Sequence, residues 1–106
     1  MVTFDEFKKL EIRTAKILDV KDHPSADKLY IIEIDIGSEK RQIVAGIRNY
    51  YKPQELIGKN IIVVANLEPA TIRGVESKAM LLAASDANGL SLLSLDKDIP
   101  AGTPVK

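Results

Sequence analysis

Apolar and polar positions alternate along most of this chain, and the one clear helical period lies near its start. Thr3 followed by Glu6 fits a capping box, with Val2 placed to staple against Phe7. Phe4, Phe7 and Leu10 then recur on one face of a helix of about two turns. Such a helix is marginal alone, so its apolar face must cover the domain's own core or a second subunit. Strand patterns follow. Ile12 to Val20 is β-branched and aliphatic and ends at the turn signal Asp22-His23-Pro24-Ser25. Leu29 to Ile36 is the strongest strand, with Tyr30, Ile32, Ile34 and Ile36 on one face and Ile31, Glu33 and Asp35 on the other. Gly37-Ser38-Glu39 closes a hairpin into Arg41 to Ala45. Lys52 to Gly58 reads as one helical turn, begun by Pro53 and stopped by Gly58. Asn60 to Ala65 reads as a fourth strand, and the continuous apolar run it contains predicts burial on both faces. A loop through Glu68-Pro69-Ala70 leads to Arg73-Gly74-Val75-Glu76-Ser77. Met80 to Ala84 and Leu90 to Leu95 are two further short strands about the turn Asp86-Ala87-Asn88-Gly89, and the tail from Ile99 to Pro104 is loop-like.

Many short strands, a helical turn between the third and fourth, and no βαβ alternation predict a small all-β barrel. A five-stranded OB-fold barrel of the oligonucleotide/oligosaccharide-binding kind, with a short N-terminal helix and a C-terminal extension, fits best; a small sandwich is the competing architecture. At 106 residues the chain is long enough for one domain, residues 1–106, and too short for two. Fifteen basic residues balance fifteen acidic ones, so any nucleic-acid site has to be a local patch. No apolar run approaches a membrane span, and the acidic N-terminus does not read as a signal peptide; the expected address is cytoplasmic.

The chemistry available is narrow. Without cysteine there are no disulfides, iron–sulfur clusters or thiolate zinc sites, and His23 is the only histidine. The carboxylate pairs Asp96/Asp98 and Glu33/Asp35 sit at strand-like spacing beside basic residues and read as solvated charge. No phosphate-cradling glycine loop is present. We therefore expect no catalytic residues, no metal and no cofactor. Lys16, Lys28, Arg73 and Lys78 lie near predicted strand ends, where a small barrel presents its binding face. Only five aromatic residues exist, two of them on the helix, too few for a platform that threads a single strand. Contact with the backbone and shape of a folded RNA fits better. Asn66 interrupts an apolar run, and its amide suits either a loop-holding bond or a ligand. Gly74 permits an unusual backbone, while Arg73 and Ser77 offer a charged fork and a hydroxyl, both suited to phosphate.

Five blocks in order carry a resemblance: Glu11 to Ile17 (EIRTAKI), His23 to Leu29 (HPSADKL), Ile43 to Ile47 (IVAGI), Val64 to Leu67 (VANL) and Arg73 to Leu81 (RGVESKAML). Together they resemble the tRNA-binding domain found at the C-terminus of many methionyl-tRNA synthetases, in endothelial monocyte-activating polypeptide II, and as free-standing tRNA-binding proteins. The resemblance implies an OB-fold that binds the folded tRNA body with little regard for sequence. It also implies a homodimer formed with the help of terminal elements, serving as a beta-type subunit or trans-acting cofactor of methionyl-tRNA synthetase. Carried over by position, the tRNA contacts would be Lys28 and Arg73 as phosphate charges, Asn66 and Ser77 as hydrogen-bonding groups, and Met80 as an apolar contact. Ala15 and Ala79 stand where the family commonly has glycine. No ATP-binding signature of the synthetase occurs here, which implies a non-catalytic module. A bacterial peptide-binding export chaperone is similar to the same family and supplies the alternative reading.

Overall fold

The computed structural model describes residues 1–106. A capping box opens α1 (Phe4–Phe7): the Glu6 amide donates to Thr3 Oγ1, and the Glu6 carboxylate accepts from the Thr3 amide. This helix is one turn, shorter than its apolar spacing predicts, and buries none of its residues. With no surface beneath it, nothing offsets the cost of extending it. There follow β1 (Ile12–Asp22), β2 (Tyr30–Asp35), β3 (Lys40–Ala45), α2 (Pro53–Leu56), β4 (Asn60–Val64), β5 (Ala70–Ile72), β6 (Val75–Ser77), β7 (Met80–Leu81), β8 (Ala83–Asp86) and β9 (Gly89–Leu92).

Five strands form one antiparallel sheet in the order β3-β2-β1-β4-β7, with β5–β6 and β8–β9 as separate hairpins. The sheet curls until its two edges approach. Across the seam the Lys78 amide donates to the Gln42 carbonyl (2.9 Å), Gln42 Nε2 to the Glu76 carbonyl (2.9 Å), and the Val44 amide to Ser77 Oγ (3.0 Å). The result is the expected OB-like barrel.

β1 can serve two neighbours because it is long and bent. Its register against β2 shifts between Ile17 and Asp19, leaving Leu18 as an extra residue. That bulge reverses the side-chain parity, so that Ala15, Ile17 and Val20 all face inward. The predicted inner face of β2 is realised, with Tyr30, Ile32, Ile34 and Ile36 buried. Ile61 to Ala65 are all buried, as their unbroken apolar run predicts. α2 forms where Pro53 and Gly58 bracket it, and its Leu56 is fully buried in the barrel core.

The C-terminal extension is loop-like but firmly attached. β2 parts from β1 beyond Lys16, and the tail takes over that edge: the Thr14 amide donates to Thr103 (2.9 Å), Gly102 to Thr14 (2.7 Å) and Val105 to Ile12 (2.8 Å). The predicted strand Met80 to Ala84 is broken at Leu82 into β7 and β8, and β9 stops at Leu92 rather than Leu95.

Candidate nucleic-acid interface

The stretch from Glu68 to Ser77, where the amino-acid pattern predicts a loop and no strand, contains a tight hairpin lying across the seam. β5 and β6 pair from Ala70↔Ser77 to Ile72↔Val75, leaving a two-residue turn at Arg73-Gly74. Both turn residues have positive φ, 51° and 86°. That is the pattern of a primed hairpin turn, whose twist matches the strands it joins. Arg73 is the only non-glycine residue in the left-handed region. An arginine there carries a strain of about 1–2 kcal/mol that glycine would avoid, and such outliers cluster at functional sites.

The hairpin tip is tied to the loop between β1 and β2. Arg73 Nη2 donates to the Ser25 carbonyl (2.8 Å), and the buried His23 ring joins in. Its Nε2 lies 3.2 Å from the Ile72 carbonyl, and its Nδ1 accepts from the Ser25 amide (3.1 Å). That pair of partners requires the proton on Nε2. Lys28 stands exposed on this same loop. Neither Arg73 nor Lys28 forms an ion pair, so the hairpin tip and the loop it is tied to each present an exposed cation without an acidic partner in contact.

The other predicted residues separate into two groups. Lys78 and Met80 are exposed at the base of the hairpin. Lys78 Nζ is 3.7 Å from Glu76, and Met80, half exposed, rims a small cavity with Leu67, Ile72 and Ala79. Asn66 and Ser77 face the protein instead. Asn66 Oδ1 accepts from the Glu11 amide (2.8 Å) and its Nδ2 donates to the Lys9 carbonyl (2.7 Å), fastening the segment after α1 to the end of β4. Ser77 is buried, accepting from Val44 and donating to the Ala79 carbonyl (3.1 Å). Lys16 lies apart. It is exposed on the outer face of β1, opposite Asp35 and Asn60, in the strand farthest from the seam.

Sequence reading missed Arg41. Its guanidinium pairs with Glu39 (2.9 Å) and donates to the carbonyls of Ala65 and Lys78, bracing the base of the hairpin. The polar partners are backbone carbonyls distant in sequence, so no motif announces them.

An OB-like barrel with exposed cations on loops at its rim has the architecture of small barrels that bind nucleic acids. The comparisons with known proteins sharpen this. The family profile described as "Putative tRNA binding domain" matches residues 12–104, and the chain belongs to that family. It is 54% identical over 105 residues to a methionine–tRNA ligase of Pyrococcus horikoshii and 50% identical over 104 residues to that of Thermotoga maritima. It spans only 14% and 16% of the lengths of those two relatives. Among solved structures, a protein from Pyrococcus horikoshii related to methionyl-tRNA synthetase superposes with a TM-score of 0.93 at 34% identity, covering 100% of this chain and 98% of that one. The CsaA chaperone protein of Picrophilus torridus does so with a TM-score of 0.91 at 35% identity, covering 100% of both chains.

Proposed function

We propose that the chain is a non-catalytic, single-domain tRNA-binding module that works with a methionyl-tRNA synthetase in the cytoplasm, holding the folded tRNA by its backbone and shape rather than by sequence. The observation that carries this reading is the pair of unpaired cations, Lys28 and Arg73, on two loops locked together by the Arg73–Ser25 and His23–Ile72 contacts. Lys28, Arg73 and Lys78 contact phosphates, and Met80 lies against a sugar or base. Asn66 and Ser77 act by positioning, since their polar atoms already have protein partners. Lys16 contributes at most to the long-range field. By tethering a second point of attachment, the module raises the effective concentration of tRNA at the synthetase.

The proposed assembly is a homodimer. Phe4, Phe7 and Leu10 are 72%, 40% and 43% exposed, an apolar face that a second copy would cover. Sedimentation equilibrium should give twice the chain mass, and Phe4→Ser together with Phe7→Ser should give the monomer. No helix is long and apolar enough to cross a membrane.

Arg73→Gly separates binding from folding. Glycine relieves the left-handed strain while giving up the guanidinium bond, so stability should change by no more than about 1 kcal/mol. Binding to total tRNA should weaken, and the log–log salt slope should fall by about 0.7–0.9 for each phosphate that the chain no longer neutralises. An unchanged slope would remove Arg73 from the interface.

The similarity to CsaA chaperones favours a second reading, the peptide-binding chaperone, whose candidate groove is the apolar cavity lined by Val44, Leu67, Ala70, Ile72, Ala79 and Met80. The cavity holds about 160 Å³. Ordinary small-ligand pockets run from about 300 to 1,000 Å³, so it is a poor groove for an extended peptide. Suppression of client aggregation by a chain that shows no tRNA binding would decide for that reading.

A further inference from the structure

Two adjacent tyrosines in the turn after β3 have opposite fates. Tyr51 is anchored inward: its hydroxyl accepts from the Leu92 amide (3.1 Å), and its carbonyl accepts from the buried Tyr30 hydroxyl (2.6 Å). Tyr50 is 52% exposed and its hydroxyl makes no hydrogen bond. The turn itself is fixed, because the Tyr50 and Tyr51 amides both donate to the Ile47 carbonyl (2.9 and 3.2 Å). Tyr50 is thus the one exposed aromatic ring outside the N-terminal helix, carried on a rigid turn.

Its surroundings give that exposure meaning. The Arg48 amide donates to the Lys28 carbonyl (3.3 Å), joining this turn to the same loop that receives Arg73. The Arg48 guanidinium pairs with Asp22 (3.2 Å), neutralising one of the two acids of that loop, Asp22 and Asp27. Two chain segments therefore converge on residues 22–29, which carry Lys28: the hairpin tip brings Arg73, and the turn after β3 brings an unpartnered ring. RNA-binding modules pair these same ingredients, cations for the backbone and an aromatic face for an unstacked base.

We propose that Tyr50 is a stacking platform for an unpaired nucleobase at the edge of the RNA interface. This rests on the tRNA-binding function proposed for the chain. Stacking uses the ring and not the hydroxyl, and it adds affinity without releasing counterions. Tyr50→Ala should bind tRNA about tenfold more weakly with an unchanged salt slope, whereas Tyr50→Phe should bind like the unmodified chain. The chain has no tryptophan, so Tyr50→Trp introduces a single indole reporter. Its emission should be quenched on adding tRNA and restored when salt displaces the RNA. Tyr50→Ala binding as tightly as the unmodified chain, a slope that falls with the affinity, Tyr50→Phe as weak as Tyr50→Ala, or an unquenched indole in the bound complex would each overturn the stacking role alone. If the unmodified chain shows no saturable tRNA binding, the parent reading falls with it.

Discussion

Replacing Gly102 with alanine should cost about 3 kcal/mol or more of folding stability, the largest single-residue effect we expect outside the core. Gly102 has φ 85°, where a Cβ atom is already strained. The added Cβ would also collide with the Ile36 carbonyl oxygen, and backbone cannot rotate aside as a side chain can. Gly37 faces it across the same contact, with its own absent Cβ 2.7 Å from the Ala101 carbonyl. The chain escapes the clash only by lifting the tail. That frees the edge of β1 and breaks the bonds from Thr14 to Thr103, Gly102 to Thr14, and Val105 to Ile12. Thermal unfolding should shift down by on the order of 10–20 °C. Amide exchange should accelerate first at Thr14 and Val105. A midpoint within a degree or two of the unmodified chain would show that the tail is not part of the cooperative unit.

Ser77→Ala should destabilise by about 2 kcal/mol, because the buried Val44 amide is left without its acceptor and the Ala79 carbonyl without a donor. The first bond joins β3 to β6 and the second braces the chain from Ser77 to Ala79, so the damage falls on the seam that carries Lys78 and Met80. A serine that served mainly as a phosphate ligand would behave in the opposite way. Its removal would weaken RNA binding and leave the unfolding curve in place. Denaturant unfolding and tRNA titration of the same variant separate the two roles.

Much of the barrel is legible in the amino-acid order because burial imposes its period directly. Tyr30 to Ile36 alternate cleanly since one side meets the core, and Ile61 to Ala65 are continuously apolar since both sides are covered. Pro53 and Gly58 delimit α2 through backbone constraints that no tertiary contact overrides. The β5–β6 hairpin escapes notice for two reasons. Its strands have three residues each, too few to establish a period, and its turn is Arg-Gly where Asn-Gly would be the recognisable pair. The candidate site divides along a similar line. A lysine or arginine on a loop is exposed wherever the loop goes, so Lys28 and Arg73 are readable. An amide or a hydroxyl offers the same chemistry to RNA and to the protein's own backbone, and only the fold shows that Asn66 and Ser77 face Lys9, Glu11, Val44 and Ala79. Lys16 reads as a strand-end cation until closure of the sheet places β1 opposite the seam.

The most direct test is a binding titration of the unmodified chain with intact tRNA, and with an unstructured single-stranded RNA of the same length, at about 50 and 200 mM salt. A rim of fixed cations matched to a folded RNA should give saturable binding that is tighter for tRNA and weakens steeply with salt. No saturable binding to tRNA at the lower salt, or equal affinity for both RNAs, would contradict it.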